Sequence, residues 1–496
     1  MHLIFMKRVG CRNLKRPCLW IGGFNYFRIT FDSVLARVAS SKCVCLLEMH
    51  FRPPMITRAF KRSSLILALA LWPLAAKAEK LVINSNESDP APKETYTKVV
   101  DEFQKQNPDL QVEFNTMDHE GYKTAIRNWL TTEPPDVVFW FSGNRMKAFV
   151  DRSLLDDVSD LWKKNNYDQA FKSTLPAMTV NGKQWGIPTT YYQWGIYYRK
   201  DLFDKYGISV PKTWDEFLAA GKKLKQNGIV PATIGTKFPW TAAGWFDYLD
   251  LRTNGYDFHI QLMDGKVPYT DPRVKNVFAK WKELIDAGFF LPNNSNYSWQ
   301  ESVPFLMDGK AAMILIGNFF TQTISNDMKD KIGFFPFPTI KPDLADGEDA
   351  PVDSIHIPAK AKNKAGARRF LEFVAKPEIQ EMIAAGTKTL PANLNAKAPA
   401  DPFLEAGAKL LAEAKTAQFY DRDTNPEMAT EGMKGFQEFM AFPSRVDSIL
   451  QRLDKIEERV FKEQMKEGSV RARSKLQGPI ASSKIVSQVA DTALLK

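Results

Sequence analysis

Few side chains in this sequence have the types and spacing that covalent chemistry requires. Downstream of residue 78 the histidines are His119, His259 and His356, and no two of them lie at metal-ligand spacing. The sequence also lacks a nucleophile elbow, a phosphate-binding loop and a zinc motif. We therefore expect no catalytic residue, no bound metal and no cofactor.

One enzymatic alternative remains open. A glycosidase needs two carboxylates that flank a cleft, and Glu87, Glu120 and Asp421 could supply such a pair. Release of product during incubation with candidate substrates would identify such an enzyme, whereas binding without turnover would exclude it.

Aromatic side chains cluster at predicted loops and strand ends, next to polar groups. A sugar ring offers hydroxyls, which need planar hydrogen-bonding groups, and an apolar face, which stacks on aromatic rings. Packing in the core is the alternative for each aromatic residue. The clusters are Trp140, 191–194, 238–240, Trp245, 318–320 and Tyr420.

The charge of the chain is concentrated near its start. The formal net charge is +10, but residues 1–78 contain 13 Lys and Arg against 2 Asp and Glu. The remainder is close to neutral, which argues against a nucleic-acid partner. All four cysteines also lie upstream of residue 78. A chain without thiols suits the periplasm, and it excludes a cysteine nucleophile, a thiolate metal site and a lipoprotein-type anchor.

Residues 63–79, SSLILALALWPLAAKAE, follow the basic residues Arg58, Lys61 and Arg62. A basic segment, a short apolar run and small residues at Ala76 and Ala78 are typical of a secretory signal peptide cleaved after Ala78. A transmembrane helix and a buried core helix are the alternatives, but the apolar run is short for a membrane span. We expect residues 55–78 to be the signal peptide, with translation starting at Met55. Residues 1–54 would then be a start-site artefact or a disordered extension.

The first part of the mature chain alternates strands with helices. Strands are predicted at 80–85, 111–115 and 137–141, and helices at 94–106 and 121–130. This order indicates an α/β sheet built from βαβ units. Ligands bind beyond the carboxyl ends of the strands in such sheets, which directs attention to 86–89 and 140–144.

A second series of predicted strands and helices follows residue 188. Thr213 and Glu216 form a predicted capping box that starts a helix reaching residue 226. The other predictions are listed here: strands at 194–198 and 311–316, a helical turn at 200–206, extended segments at 333–338 and 351–357, and helices at 270–287, 365–375, 377–385 and 444–463. Residues 464–496 are polar and weakly patterned, so we expect a loose C-terminal tail.

These segments resemble the family 1 extracellular solute-binding proteins, the maltose-binding-protein-like receptors of ABC sugar importers. The most specific stretches are GIPTTYYQWGIYYRKDLF and FLMDGKAAMILIGNFF, and the resemblance extends over about 80–463. At the first hinge the family pattern matches Pro188, Gly195, 196–198 and Leu202. Arg199 stands where Asn or Asp is usual.

The resemblance implies an α/β periplasmic-binding-protein fold, type II-like, with two lobes joined by three interlobe crossings. Lobe one would comprise 79–190 and 355–390, and lobe two would comprise 191–354 and 391–463. The lobes would close on a ligand as a hinged clamp.

The resemblance also implies a set of ligand-binding residues. Trp140 and Trp240 fall on stacking aromatics, and Phe319 replaces a tryptophan. Asn144 and Tyr192 stand where the family has charged groups. The other residues at positions that contact sugar are Glu87, Ser88, His119 and Glu120, and the polar loop at 420–423 adds Asp421 and Arg422.

The function implied is capture of a sugar or oligosaccharide in the periplasm for an ABC permease in the inner membrane, by a monomer. A receptor for another solute, such as glycerol phosphate or a polyamine, is an alternative. A phosphate would call for an Arg and Lys cluster, and a polyamine for more carboxylates.

Overall fold

The computed structural model describes residues 78–344 and 346–476, with side chains described as far as residue 462. The strands, in chain order, are β1 (Glu79–Ser85), β2 (Leu110–Thr116), β3 (Val137–Phe141), β4 (Thr179–Val180), β5 (Lys183–Gln184), β6 (Ile187–Tyr191), β7 (Trp194–Arg199), β8 (Val230–Thr233), β9 (Ala311–Gly317), β10 (Ile332–Phe335), β11 (Gly347–Asp349), β12 (Val352–His356), β13 (Leu390–Pro391) and β14 (Lys415–Ala417).

The helices, in chain order, are α1 (Pro90–Gln106), α2 (His119–Trp129), α3 (Gly143–Asp151), α4 (Ser159–Asn165), α5 (Tyr167–Ala170), α6 (Leu175–Met178), α7 (Lys200–Lys205), α8 (Trp214–Gln226), α9 (Trp240–Asn254), α10 (Tyr256–Met263), α11 (Pro272–Asp286), α12 (Trp299–Met307), α13 (Lys364–Val374), α14 (Pro377–Thr387), α15 (Pro402–Glu413), α16 (Tyr420–Asp423), α17 (Pro426–Ala441) and α18 (Val446–Leu476). Single 3-10 turns occur at Asn294–Asn296, Asn318–Thr323, Lys329–Lys331, Pro342–Leu344 and Pro443–Arg445.

Two sheets define two lobes. Lobe one is built on a six-stranded sheet of order β13-β6-β12-β3-β1-β2, and lobe two on a four-stranded sheet of order β10-β7-β9-β8. Strands β1, β2 and β3 are parallel, whereas β12 is antiparallel to both β3 and β6. The fully buried β3 (VVFWF) carries apolar side chains on both faces, as a strand covered by helices on both sides requires. The expected two-lobe α/β fold is confirmed.

The chain passes between the sheets three times. It leaves lobe one between β6 and β7, returns before β12 and leaves again after β13. The return comes earlier than the expected boundary at residue 355, because Asp353 and Ser354 already pair with β3 and β6. The expected second exit after residue 390 also shifts slightly, because Ala392 packs in the core of lobe one.

Helix α9 is the centre of lobe two. Thirteen of its fifteen residues are buried, so it has no polar face and its sequence has little helical periodicity. Trp240, expected in a loop or at a strand end, is its first residue. The predicted capping box of α8 is present: Thr213 Oγ1 accepts from the Glu216 backbone N–H, and the Glu216 carboxylate accepts from the backbone N–H of Thr213.

The last helix is longer than the sequence indicated. Helix α18 continues to Leu476, whereas the pattern predicted a helix ending at residue 463 and a loose tail from 464. Residues 477–496 lie outside the described part of the chain. The expected signal peptide at 55–78 lies outside it up to residue 77, as does the expected extension at 1–54.

Candidate functional site

A cavity of about 470 Å³ lies between the two lobes. Lobe one contributes the segment after β1, the start of α2, the end of β3 and the start of β12. Lobe two contributes the start of α9, the start of α12 and the 3-10 turn after β9. The rest of the wall is formed by the link between β6 and β7 and by α16. These are segments at the ends of strands and the first turns of helices, where ligands of α/β folds bind.

Glu87 lies in the segment that follows β1. Ser85 Oγ accepts a hydrogen bond of 3.1 Å from the Glu87 backbone N–H, which holds the turn. Burial, together with the nearby carboxylates of Asp353 and Asp89, raises the pKa of Glu87 to about 8. A protonated carboxyl group at neutral pH can both donate and accept hydrogen bonds.

His119 begins α2 and is held by Asn86, whose Nδ2 lies 3.2 Å from His119 Nδ1. Burial, followed by the positive charges of Lys123 and Arg422, lowers the pKa of His119 well below its ordinary value. The imidazole is therefore neutral. A neutral imidazole can donate from one ring nitrogen and accept at the other.

Arg422 joins three elements at the base of the cavity. Its guanidinium donates to Val352 O at 2.9 Å and to Tyr192 Oη at 3.1 Å, and it pairs with Asp353 at 3.0 Å. Its Cζ also lies 4.4 Å from the centroid of the Phe141 ring. A planar fork with several donors suits such a multi-partner position.

Asp421 is bound by Arg145, a residue of lobe one. Arg145 Nη2 lies 2.5 Å from Asp421 Oδ2, and Arg145 Nε donates to Asp421 O at 2.9 Å. Burial opposes ionisation, but Arg145 and Lys123 together keep the pKa of Asp421 below its usual value. Gly143 permits this close approach, since its φ is +65° and a Cβ there would lie 2.8 Å from Arg422 O.

Lobe two presents an aromatic wall, which comprises Trp194, Trp240, Trp299, Phe319 and Phe419. Phe319 is half-buried at its centre, with its ring centroid 5.3 Å from that of Trp299 and 6.3 Å from that of Trp240. Phe419 stacks on Trp194 at 4.7 Å, and its backbone has a φ of 142° that non-glycine residues rarely adopt. Such strained conformations concentrate at functional sites.

Nine of the eleven predicted site residues line this cavity. They are Glu87, Ser88, His119, Glu120, Tyr192, Trp240, Phe319, Asp421 and Arg422.

Trp140 and Asn144 lie elsewhere, and their expected positions are corrected. Trp140 is 3% exposed and packs 5.2 Å from Phe149, ring centroid to ring centroid. Because side chains alternate along a strand, its neighbour Phe141 faces the cavity instead. The Asn144 side chain donates to Asp423 O at 2.6 Å and so anchors α16 rather than lining the cavity.

Several cavity residues were not predicted from the sequence. Asp353 is one, and its signal was only an extended segment with a single acidic residue. Trp194 and Phe419 were visible only as members of aromatic clusters or neighbours of the polar loop. The others include Lys123, Thr190, Gln300 and Trp299, whereas Asp89 and Phe141 lie in the segments 86–89 and 140–144 to which the order of elements had directed attention.

Within the described part of the chain, no group of three or more His, Cys, Asp or Glu side chains could hold a metal ion. None of the described helices is long and apolar enough to span a bilayer. The cavity thus combines hydrogen-bonding side chains from both lobes with the aromatic wall of lobe two, in which the rings of Trp240 and Phe319 are half-buried. That arrangement suits a small ligand that has both apolar faces and polar groups.

Comparison with known proteins gives one consistent result. Residues 88–381 match the family described as bacterial extracellular solute-binding protein. An ABC transporter extracellular-binding protein of Pyrococcus horikoshii is 25% identical over 338 residues, which cover 65% of this chain and 74% of that protein. The alpha-glucosides-binding periplasmic protein AglE of Rhizobium meliloti is 25% identical over 68% of this chain and 79% of its own length.

The structural comparison agrees. The crystal structure of the bacterial solute receptor AcbH, with an exclusive substrate preference for β-D-galactopyranose, superposes with a TM-score of 0.73. It is 29% identical in sequence, and the match covers 77% of this chain and 100% of that one. This chain belongs to the bacterial extracellular solute-binding protein family.

Proposed function

We propose that this protein is the substrate-binding component of an ABC transporter and captures a sugar or oligosaccharide in the cavity between its lobes. The observation that carries the proposal is the pairing of an aromatic wall with a polar wall in one cavity of about 470 Å³. The aromatic faces suit the CH face of a sugar, and the polar groups suit its hydroxyls. The relatives whose names state a ligand point to the same class.

Closure of the lobes is the proposed mechanism. The ligand binds between the lobes, which close about the link between β6 and β7 and the two later crossings. A ligand favours closure only by as much as it binds the closed form better than the open form. The closed form then docks on the permease, and we propose that export by the signal at 55–78 delivers the protein, as a monomer, to the periplasm.

The cavity offers little support for a glycosidase or for a receptor of a phosphate-bearing solute. Of the carboxylates considered for a glycosidase, Glu120 pairs with Lys123 and Asp421 with Arg145. Neither of these two carboxylates is therefore a free partner for Glu87 in acid–base work. A phosphate ligand would need uncompensated cations, but Lys123 and Arg422 are engaged with Glu120 and Asp353.

A thermal-shift screen against mono-, di- and oligosaccharides, followed by calorimetry, tests the proposal. We expect a stoichiometric gain in thermal stability for at least one sugar, and chromatography should detect no product after prolonged incubation. Product formation would indicate a glycosidase, and a stability gain only with glycerol phosphate or a polyamine would indicate another solute receptor.

A further inference from the structure

A second cavity, with a volume of about 350 Å³, lies behind one wall of the proposed sugar cavity. Its lining comes from β3, the end of α2 and α3 in lobe one, and from the first turns of α17 in lobe two. Arg145 lines this second cavity and pairs with Asp421, which lines the sugar cavity. The two cavities share no lining residue, so this ion pair stands between them.

Three arginines line the second cavity, namely Arg127, Arg145 and Arg152. Burial, followed by the positive charges of Arg145 and Arg152, lowers the pKa of Arg127. Arg127 therefore lies close enough to both of the other arginines for like charges to repel one another. Such an arrangement is unfavourable unless a negative charge offsets it.

The acidic side chains of the second cavity do not supply that charge. On the wall formed by α17, Glu427 accepts a hydrogen bond of 3.0 Å from Arg459 Nη1, and Glu431 lies 2.7 Å from Lys434 Nζ. Each of these glutamates is thus already matched with a cation of its own lobe.

Arg127 and Arg152 are left without partners. Among the described residues neither side chain has a hydrogen bond or an ion pair, whereas Arg145 is bound to Asp421. Arg127 lies in the last turn of α2 and Arg152 caps the end of α3, where the helix carbonyls carry about half a negative charge each. Those partial charges offset about one of the two guanidinium charges. Both arginines are exposed, so an ion from solvent can reach them.

The indole of Trp140 adds a buried donor to the same lining. Trp140 is 3% exposed, and its Nε1 has no hydrogen-bond partner among the described residues. A buried N–H group normally has an acceptor. The lining therefore combines positive charge and free donors, and its own carboxylates are already engaged.

We propose that the second cavity is a binding site for a free tetrahedral oxyanion, phosphate or sulfate, held by Arg127 and Arg152. A guanidinium group presents parallel N–H groups that match two oxygens of an oxyanion. A carboxylate has oxygens for only one such fork. Phosphate and sulfate have four oxygens and a higher charge, so a single ion can engage both arginines. This site is separate from the sugar cavity and does not depend on the identity of the transported solute.

Calorimetry at pH 7.5 and constant ionic strength tests the proposal, with sodium phosphate and sodium sulfate as ligands and sodium acetate and sodium chloride as controls. We expect at least one of the two tetrahedral ions to bind with one ion per protein, tenfold or more tightly than acetate. Equal responses to phosphate, sulfate and chloride would overturn the proposal. Co-sedimentation with phosphatidylglycerol vesicles, without binding of either free ion, would overturn it as well, because the arginines would then contact a membrane surface.

Arg127→Gln combined with Arg152→Gln provides the test variant, because it removes both free guanidinium groups and leaves the pair of Arg145 with Asp421 intact. We expect its affinity for the ion to fall tenfold or more, with the fold retained by circular dichroism. Lys222→Gln combined with Lys409→Gln is the control, since it removes two exposed positive charges outside the second cavity. A double arginine variant that binds the ion as tightly as this control would place the ion elsewhere and contradict the assignment.

Discussion

Gln300 Nε2 of lobe two lies 3.3 Å from Asp89 Oδ1 of lobe one, and both side chains line the cavity. The hydrogen bond joins the first turn of α12 to the residue that precedes α1. It can form only when the lobes approach this closely, so it favours the closed arrangement over an open one.

Gln300→Ala should therefore weaken retention of the ligand. Since a partly exposed hydrogen bond contributes about 0.5–1 kcal/mol, we expect dissociation to become about two- to fivefold faster. Stopped-flow fluorescence measures the rate, and Gln226→Ala on the exposed end of α8 serves as the control. A dissociation rate in Gln300→Ala equal to that of the control would show that the bond has no part in closure.

Trp140 and Trp240 were both predicted to stack on the ligand, but their replacement should have different effects on affinity and stability. Trp240→Ala removes a half-buried ring from the aromatic wall, and we expect sugar affinity to fall about tenfold with little loss of stability. Trp140→Ala removes a ring that is 3% exposed, and we expect the free energy of unfolding to fall by about 3–5 kcal/mol.

Calorimetry and urea denaturation of both tryptophan variants check this pair. If Trp140→Ala lost affinity and kept its stability, the placement of Trp140 in the core would be contradicted.

Arg422 should tolerate no conservative replacement. Lysine keeps the charge but cannot reach Asp353, Tyr192 and Val352 together, so Arg422→Lys should lower the free energy of unfolding by about 2–3 kcal/mol. Tyr192→Phe removes only one of these contacts and should cost about 1 kcal/mol. Urea denaturation ranks the two variants, and the opposite order would show that the tyrosine hydroxyl is the dominant partner.

The pH dependence of stability should report on a buried acid in lobe two. Both carboxylate oxygens of Asp349 are buried without a hydrogen-bond partner among the described residues. Burial, partly offset by the nearby His259, raises the pKa of Asp349 to about 8. The folded protein therefore keeps Asp349 protonated up to about pH 8, whereas the unfolded chain ionises it above about pH 4. The free energy of unfolding should fall as pH rises from 4 to 8.

Asp349→Asn removes this titration and should become progressively more stable relative to the wild type as the pH is raised. Other groups also titrate in this range. Burial lowers the pKa of His259, but the hydrogen bond with Asp250 and the charges of Asp250, Asp349 and Asp423 together raise it above its ordinary value. The difference between wild type and Asp349→Asn isolates Asp349. Urea denaturation at pH 5, 7 and 8.5 measures it, with the exposed Asp330→Asn as the control; parallel curves for wild type and Asp349→Asn would refute the prediction.

The sequence indicated most of lobe one because its strands and helices have clear periodicity and clear ends. The strand at 137–141 is observed there, and the capping box at Thr213 and Glu216 is observed in lobe two. Helix α9 gave no comparable signal, since a helix buried on all sides lacks the apolar and polar alternation that identifies an amphipathic helix.

The candidate site likewise contains residues that could be located from the sequence and residues that could not. Residues after β1 could be located from the order of elements, because ligands bind beyond the carboxyl ends of the strands. Those at the start of α2 came from the family resemblance. Asp353 could not be located in either way, since it gains its partner Arg422 only when β12 of lobe one meets α16, 69 residues further along the chain.

The alternation of strands and helices, the two-lobe class and the family could be read from the sequence, because local periodicity and short motifs encode them. Which of Trp140 and Phe141 faces the cavity, and that Asp353 pairs with Arg422, became visible only in the folded chain. Both depend on side chains from segments distant in the chain that meet at one place, and no local pattern in a sequence records such a meeting.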